Sequence, residues 1–444
     1  MQADEREDVG EISIDEALRM ALTVQRSGNL DLARSIFIRI LDTVPEHPDA
    51  LHFLGVLTFL EGHAEHALPL IERSIELQPQ QVDWRNNLGN VYLRSEQESK
   101  AREMYLGVIR DAPEHANAWS NLGIAERLLK NPNGAEAAFR EAIRIAPNHA
   151  DAHANFASFL FNSRRIAEAM EHLYKAISIN PKHSSGSRIL LSRAYLATGE
   201  TDKAIDIFIE WEGATPDDPV PKHYLAALTG NNVPARAADG YVSKVFDNFA
   251  STFDEQLGRL EYRAPQIISA ALQESLGAGA GRGDLVGLDA GCGTGLCGPM
   301  VRGHFARLDG VDLSSKMLEK AQKRGLYDAL HCAELTAYIC EHPATYDVII
   351  SADTLCYFGK IDEVCAASAR ALKPEGVLIF SLEEEMQASG EGYRLQPHGR
   401  YCHTEGYVRQ ALAGAGATSV VIQRDTLRFE AGIPVPGLIV TARF

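Results

Sequence analysis

The sequence has no long apolar run, no block of basic residues and, ahead of position 292, no cysteine. Each absence excludes something. No stretch reaches the roughly 18–20 apolar residues that a membrane-spanning helix needs. Nucleic acids and anionic lipid surfaces are gripped by clustered Lys and Arg. Here 60 acidic residues stand against 43 basic ones, for a net charge of −17, so neither nucleic acid nor membrane is an expected partner. Residues 1–16 carry seven acids against one arginine and no apolar segment. They read as a solvated acidic tail over 1–13, without an export signal. The seven cysteines (Cys292, Cys297, Cys332, Cys340, Cys356, Cys365 and Cys402) contain no CxxC pair. That removes zinc-ribbon and thioredoxin readings, and no metal site is expected. An odd number of thiols without an export signal fits a reducing, cytoplasmic setting.

What is present first is a period. Prolines fall at 45, 79, 113, 147 and 181, each step 34 residues. Alanines 33, 67, 101, 135 and 169 keep the phase, each followed four residues later by Phe37, Ile71, Tyr105, Phe139 or Leu173. Leu54-Gly55, Leu88-Gly89 and Leu122-Gly123 share it too. A sixth copy, with Tyr195, Gly199, Ala204, Phe208 and Pro216, carries one extra residue. Such a unit makes sense as two short helices that cross closely at Gly and Ala, with proline stopping the second. One pair cannot bury its apolar face, so the copies must stack.

This pattern resembles the tetratricopeptide repeat over about residues 14–217, most closely in Ala118-Trp119-Ser120-Asn121-Leu122-Gly123. The resemblance implies an all-α solenoid of about six repeats with a capping helix. A groove for a protein or peptide partner is implied as well. Asn87, Asn121 and Asn155, also 34 apart, resemble the asparagine ladder of the repeat superhelix of O-linked N-acetylglucosamine transferase, which holds extended peptides. The alternative is that each amide bonds a neighbouring helix. Asp217-Asp218-Pro219-Val220-Pro221 and Thr229-Gly230-Asn231-Asn232-Val233-Pro234 read as breaks, so the solenoid is expected over 14–234 and a second domain over 235–444.

The second half alternates apolar strands with helices, which implies a parallel sheet covered on both faces. Strands are expected near 285–289, 307–312, 328–332, 346–351 and 376–382, and helices near 296–304, 315–324, 335–342, 360–372 and 404–414. Two closing strands, near 418–424 and 437–443, have no helix between them and suggest an antiparallel edge. Residues 241–275 read as helical, with Val245, Phe246, Phe249 and Phe253 on one face.

The motifs lie where such sheets bind ligands, beyond the carboxyl ends of the strands. Asp289-Ala290-Gly291-Cys292-Gly293-Thr294-Gly295 is a glycine loop between strand and helix. Alone it also suits a dinucleotide. Asp312 ends the next strand, 19 residues after Gly293. Cys332-Ala333-Glu334-Leu335 follows the third strand and Ser351-Ala352-Asp353-Thr354 the fourth. Leu372-Lys373-Pro374-Glu375-Gly376 reads as the turn into the fifth.

Taken together these elements resemble class I S-adenosylmethionine-dependent methyltransferases over about residues 241–444. The whole chain is similar to bacterial methyltransferases with tetratricopeptide repeats. The resemblance implies a Rossmann-like α/β sheet with an antiparallel terminal strand. S-adenosyl-L-methionine is the implied cofactor and S-adenosyl-L-homocysteine the product. Asp289, Gly291, Cys292, Gly293 and Gly295 would meet the methionine end. Asp312 would accept from the ribose hydroxyls, with Leu313 and Met317 packing on the adenosine. Glu334, with Leu335, would meet the adenine, or would instead favour the start of the next helix. Asp353 would touch cofactor or substrate.

The helical stretch 241–275 would be a lid, with Tyr262 and Arg263 either reaching cofactor or acceptor or only docking the lid to the sheet. Tyr357 and Phe358 would wall the acceptor pocket or serve as ordinary packing, and Arg400 would offer a cation to an anionic substrate. His398, Tyr401 and His403 are candidates for a base. Three uses of the chain follow. It methylates a protein or peptide held by the repeats, or it methylates a small molecule while the repeats form a homodimer or scaffold. The third is a non-catalytic adaptor that binds the cofactor.

Overall fold

The computed structural model describes residues 12–61, 63–250, 253–277, 283–386, 390–430 and 432–444, with all their side chains except those of His183, Glu255 and Arg259. The acidic tail therefore lies almost wholly outside the described residues. The chain divides into two compact units, 1–200 and 201–444.

The first unit is built of helix pairs: Ile14–Arg26 with Leu30–Thr43, Pro48–Leu60 with Ala64–Leu77, Val82–Arg94 with Glu98–Asp111, Ala116–Leu128 with Pro132–Ile145, and Ala150–Asn162 with Ile166–Ile179. Ser185–Ala197 follows. Each second helix stops two residues ahead of a phased proline. Pro69 is the exception to proline as a terminator, since it lies inside Ala64–Leu77. The phased alanines and the bulky residues four beyond them are fully buried. The glycine requirement is steric: a Cβ on Gly89 would sit 2.5 Å from the Tyr105 ring, and one on Gly123 would sit 2.6 Å from Phe139. Helix starts are capped by the repeat itself, with His47, His115 and His149 accepting from the N–H of Ala50, Ala118 and Ala152.

The second unit begins well ahead of the expected boundary near 235. Helices Thr201–Ala214 and Pro219–Thr229 pack together, with Phe208 stacked on Tyr224 at 4.9 Å. Pro219–Thr229 then docks on the α/β core through His223, whose Nε2 meets the Gly399 carbonyl at 2.8 Å. Ala226 and Ala227 pack against Leu395 and Tyr401. Residues 234–237 continue along the loop 357–360, where the Ala237 N–H donates to the Tyr357 carbonyl. A cut at 235 would strip these contacts.

The sheet holds β1 Leu285–Ala290, β2 Phe305–Asp312, β3 Ala329–Cys332, β4 Tyr346–Ser351, β5 Leu372–Glu384, β6 Tyr393–Leu395, β7 Tyr401–His403, β8 Ser419–Glu430 and β9 Ile433–Arg443. The strand order β3-β2-β1-β4-β5 is parallel throughout, and β9 is antiparallel to both β5 and β8. Helices Ser315–Arg324, Leu335–Cys340, Asp362–Ala371 and Glu405–Gly414 fall close to expectation.

Four expectations need correction. The helix at 296–304 is a single turn, Gly298–Val301, with a 3₁₀ turn after it. Residues 373–376 are not a separate turn but lie within β5, at a register shift against β4. The stretch 241–275 is three helices, Asp239–Phe249, Phe253–Arg259 and Ala264–Leu276, and Ser251 and Thr252 lie outside the described residues. Phe249 is exposed rather than on the packed face. Among the described residues no helix is long and apolar enough to cross a membrane.

Candidate functional site

Four strands end side by side and carry the motif residues with them. Asp289 pairs with Gly310 of β2 and with Ile350 of β4, at the sheet's centre. The chain then turns through Gly291, at φ +80°, where a Cβ would lie 2.1 Å from the Thr354 hydroxyl oxygen, so no side chain fits. Gly291 and Cys292 both donate N–H to the Val311 carbonyl, at 2.8 and 3.0 Å. Gly293, at φ +53°, faces open space. Its N–H donates to Asp312 Oδ2 at 2.9 Å, and the Ser314 N–H donates to Oδ1 at 2.8 Å. Burial lifts the Asp312 pKa against the pull of these donors. Asp312 therefore bridges the glycine loop and the start of helix Ser315–Arg324, which Ser314 caps through the Met317 N–H.

Glu334 does what a helix-starting acid does, accepting from the Ala337 N–H at 2.7 Å through Oε2. Its other oxygen, Oε1, is buried without a hydrogen-bond partner. Arg236 approaches that oxygen at 3.9 Å. Asp289 repeats the pattern. Oδ2 accepts from the Tyr327 hydroxyl at 2.7 Å and Oδ1 is buried without a partner. Burial raises the Asp289 pKa to about 7. Leu313 is half-buried, and Met317 and Leu335 are buried.

The helices ahead of β1 are tied to this rim by two carboxylates. Asp247 accepts from the Ser314 hydroxyl at 2.6 Å. Asp254 accepts from the Thr294 hydroxyl at 2.5 Å and from Arg324 Nη2 at 2.6 Å. Arg324 Nε in turn donates to the Thr294 carbonyl. Phe246 packs edge-on against Tyr357 at 5.4 Å.

Past β4 lies a buried ion-pair network. Asp353 has φ +52°, unusual for a residue with a side chain. Its carboxylate accepts from Arg428 Nη1 at 2.7 Å and from the Ser381 hydroxyl at 3.2 Å. Arg428, 3% exposed, also pairs with Glu383 through Nη2 and with Glu430 through Nε. Arg400 pairs with Glu383 at 2.5 Å and with Glu430. His398 stands 3.4 Å from Glu383, and burial followed by the Arg400 charge pushes its pKa down to about 4. Burial raises Asp353 despite Arg428. For Glu383 and Glu430 burial is outweighed by Arg400 and Arg428, which hold both low, Glu430 at about 2. Tyr262 and Tyr357 have their pKa values raised by burial, with the charges of this network acting on both.

The structure thus brings together Asp289, the glycine loop, Asp312 and Glu334 along one rim. Asp353, Arg400 and His398 gather next to it. Other expected residues are engaged elsewhere. Arg263 pairs with Asp425 at 2.9 Å. The Tyr401 hydroxyl donates to the Pro234 carbonyl at 2.7 Å. His403 is fully buried with Nε2 on the Gly359 carbonyl at 3.0 Å. Arg400 is already matched by two carboxylates. In the first unit, Asn87 meets His52 Nε2 at 3.2 Å, Asn121 donates to Asn86 and Asn90, and Asn155 donates to Ser120 at 3.3 Å. Each amide nitrogen is thus turned to the preceding repeat. Sequence reasoning missed Arg428, Glu383, Glu430, Tyr327 and the two carboxylates Asp247 and Asp254. Asp247 and Asp254 stood in a segment already singled out by its resemblance. Nothing in the pattern marks Arg428. Among the described residues no His, Cys, Asp or Glu group is placed to hold a metal.

Comparison with known proteins separates repeats, matched as far as residue 228, from a methyltransferase domain. A methyltransferase-domain family model matches residues 288–378, and tetratricopeptide-repeat models match 86–150, 131–184 and 163–228. The malonyl-[acyl-carrier protein] O-methyltransferase of Priestia megaterium is 30% identical over 168 residues, covering 37% of this chain and 57% of that protein. Human methyltransferase-like protein 27 is 36% identical over 138 residues, covering 31% and 55%. A ubiquinone biosynthesis O-methyltransferase of Thiobacillus denitrificans is 33% identical over 99 residues, covering 21% and 42%. The chain spans about half the length of the curated relatives it matches. Among solved structures, a tetratricopeptide-repeat protein of Thermus thermophilus aligns with 41% of this chain and all of its own, at 22% identity and a TM-score of 0.38. The chain carries tetratricopeptide repeats and a methyltransferase domain.

Proposed function

We propose that the chain is an S-adenosylmethionine-dependent methyltransferase whose repeats recruit a protein or peptide. The observation that carries the cofactor reading is the rim of acceptors. Asp289 Oδ1 and Glu334 Oε1 are buried without donors. Each Asp312 oxygen accepts an N–H, and a carboxylate oxygen has a second lone pair to offer. Buried acceptors without partners are costly. The hydroxyls of a ribose suit Asp312, and an adenine amino group suits Glu334. Leu313, Met317 and Leu335 offer apolar surface to the base, and the backbone of Gly291, Cys292, Gly293 and Gly295 admits the amino-acid end. The names of the relatives support the reading.

When bound, S-adenosylmethionine supplies an activated methyl group. The chain's own task is to bind, align the acceptor and exclude water. The helices latched by Asp247 and Asp254 suit the last of these. The seven free cysteines support a reducing compartment, the cytoplasm.

For the repeats, support comes from a groove of about 330 Å³ lined by small and polar residues, among them Ala154, Asn155, Ser158, Asn180, Ser184 and Ser187. Such a lining admits an extended backbone. The test uses the full chain, methyl-labelled cofactor and fractionated lysate, with Ser187→Trp filling the groove. Label in protein fractions, lost in Ser187→Trp at unchanged S-adenosylhomocysteine affinity, supports recruitment. Label confined to small molecules, and equal in both proteins, refutes it.

A further inference from the structure

The ion-pair network past β4 has a charge that does not close. It contains three carboxylates, Asp353, Glu383 and Glu430, and two guanidiniums, Arg400 and Arg428. His398 adds no positive charge near neutral pH. One negative charge is left over. Most of the guanidinium edges are also turned to these carboxylates already. The three nitrogens of Arg428 each face a different carboxylate, and Arg400 turns Nε and Nη2 to Glu383 and Glu430. A carboxylate or phosphate on the acceptor would meet net repulsion here. A nitrogen with hydrogens to donate meets carboxylate lone pairs. The tyrosines around it, Tyr262 and Tyr357, stay neutral at physiological pH.

We propose that this network selects an amine as the methyl acceptor, bound as its ammonium form. The proposal rests on the methyltransferase reading above and narrows it to nitrogen. It sets this chain apart from the relatives whose names specify O-methylation. The ammonium proton passes to Asp353, the carboxylate beside Thr354, whose hydroxyl donates to the Gly291 carbonyl of the glycine loop; burial also holds it above its usual pKa. The freed nitrogen lone pair forms the N–C bond, the C–S bond electrons return to sulfur, and Asp353 releases the proton to water. The product is a methylated amine and a neutral thioether.

The test is calorimetric, on the full chain, with adenosine-based bisubstrate probes. These carry an aminoalkyl or a carboxyalkyl arm at the position of the transferred methyl, and S-adenosylhomocysteine is the reference. At an effective dielectric of about 20, a unit charge held within about 10 Å of the network's excess charge changes affinity by about tenfold or more. The amine arm should therefore bind at least tenfold tighter than the carboxylate arm, and Glu430→Gln should erase most of that preference. Equal affinities, a carboxylate preference, or S-adenosylhomocysteine binding that neither arm improves would each overturn the proposal. Failure of S-adenosylhomocysteine itself to bind would instead sink the cofactor reading, and the proposal with it. A third probe places the amine arm in a lysine tripeptide. Tighter binding than the bare arm identifies a protein side chain as the source, and weaker or equal binding a small amine; either result keeps the amine class.

Discussion

Replacing Arg428 by Met should cost the second unit about 3–5 kcal/mol of stability. The side chain is 3% exposed and its three nitrogens face Asp353, Glu430 and Glu383. Without it, three carboxylates are left with Arg400 alone, and of these Glu383 is the most deeply buried. The loss is dominated by these stranded charges rather than by the packing of the stem. Arg263→Met is the internal control. Its partner is Asp425 at 2.9 Å, but the two side chains are 49% and 38% exposed, and such a pair is worth below about 1 kcal/mol. Arg428→Lys, which keeps the charge and loses the fork, should fall between. The readout is urea unfolding of the full chain with hydrogen exchange of amides in Leu372–Glu384 and Ser419–Glu430, so that the second unit is followed separately from the repeats. An Arg428→Met loss within 1 kcal/mol of the control would show that the network is solvated, and the charge argument built on it would fail.

Asp289→Asn should stabilise the ligand-free protein. The native carboxyl holds its proton up to about pH 7 against 3.8 for an ordinary aspartate. The unfolded chain binds fewer protons across that window, so stability falls as pH rises through it. Asparagine does not ionise, and it should gain up to about 4 kcal/mol at pH 8 relative to wild type. Melting curves from pH 4 to 8 that run parallel for the two proteins would contradict this. In the first unit, Gly123→Ala should destabilise by about 1–3 kcal/mol through overpacking, although alanine favours a helix by about 1 kcal/mol. The cause is the Phe139 ring 2.6 Å from the new methyl. An unchanged or raised denaturation midpoint would mean that the ring moves aside freely.

The repeats were legible because their packing is written at fixed spacing. Ala101, Tyr105 and Gly89 meet in one repeat as Ala135, Phe139 and Gly123 do in the next. The glycine loop, Asp312 and Glu334 were legible for a related reason. Each ends a strand, and parallel strands in order bring their ends to one rim. The ion-pair network was not legible, since its members come from β4, β5, β7 and β8 and their surroundings. Part of it also lies on strand that did not read as strand. β8 and β9 extend to Glu430 and from Ile433, where Pro434 and Pro436 argue against pairing. β6 and β7, three residues each, are too short for an alternating pattern. The compact second unit starts ahead of the break read at Asn231 to Pro234, since His223 and Ala226 pack onto the hairpin at 393–403.

The central claim is that the rim from Asp289 to Glu334 holds S-adenosylmethionine. The direct measurement is calorimetric titration of S-adenosylhomocysteine into the full chain, wild type and Asp312→Ala. Asp312 contributes charge-assisted hydrogen bonds, each worth about 1.5–3 kcal/mol, so the substitution should weaken binding at least tenfold while the melting temperature of the repeats stays put. Saturable binding with that loss is the predicted result. No binding to wild type, or equal affinity in Asp312→Ala, would contradict the account.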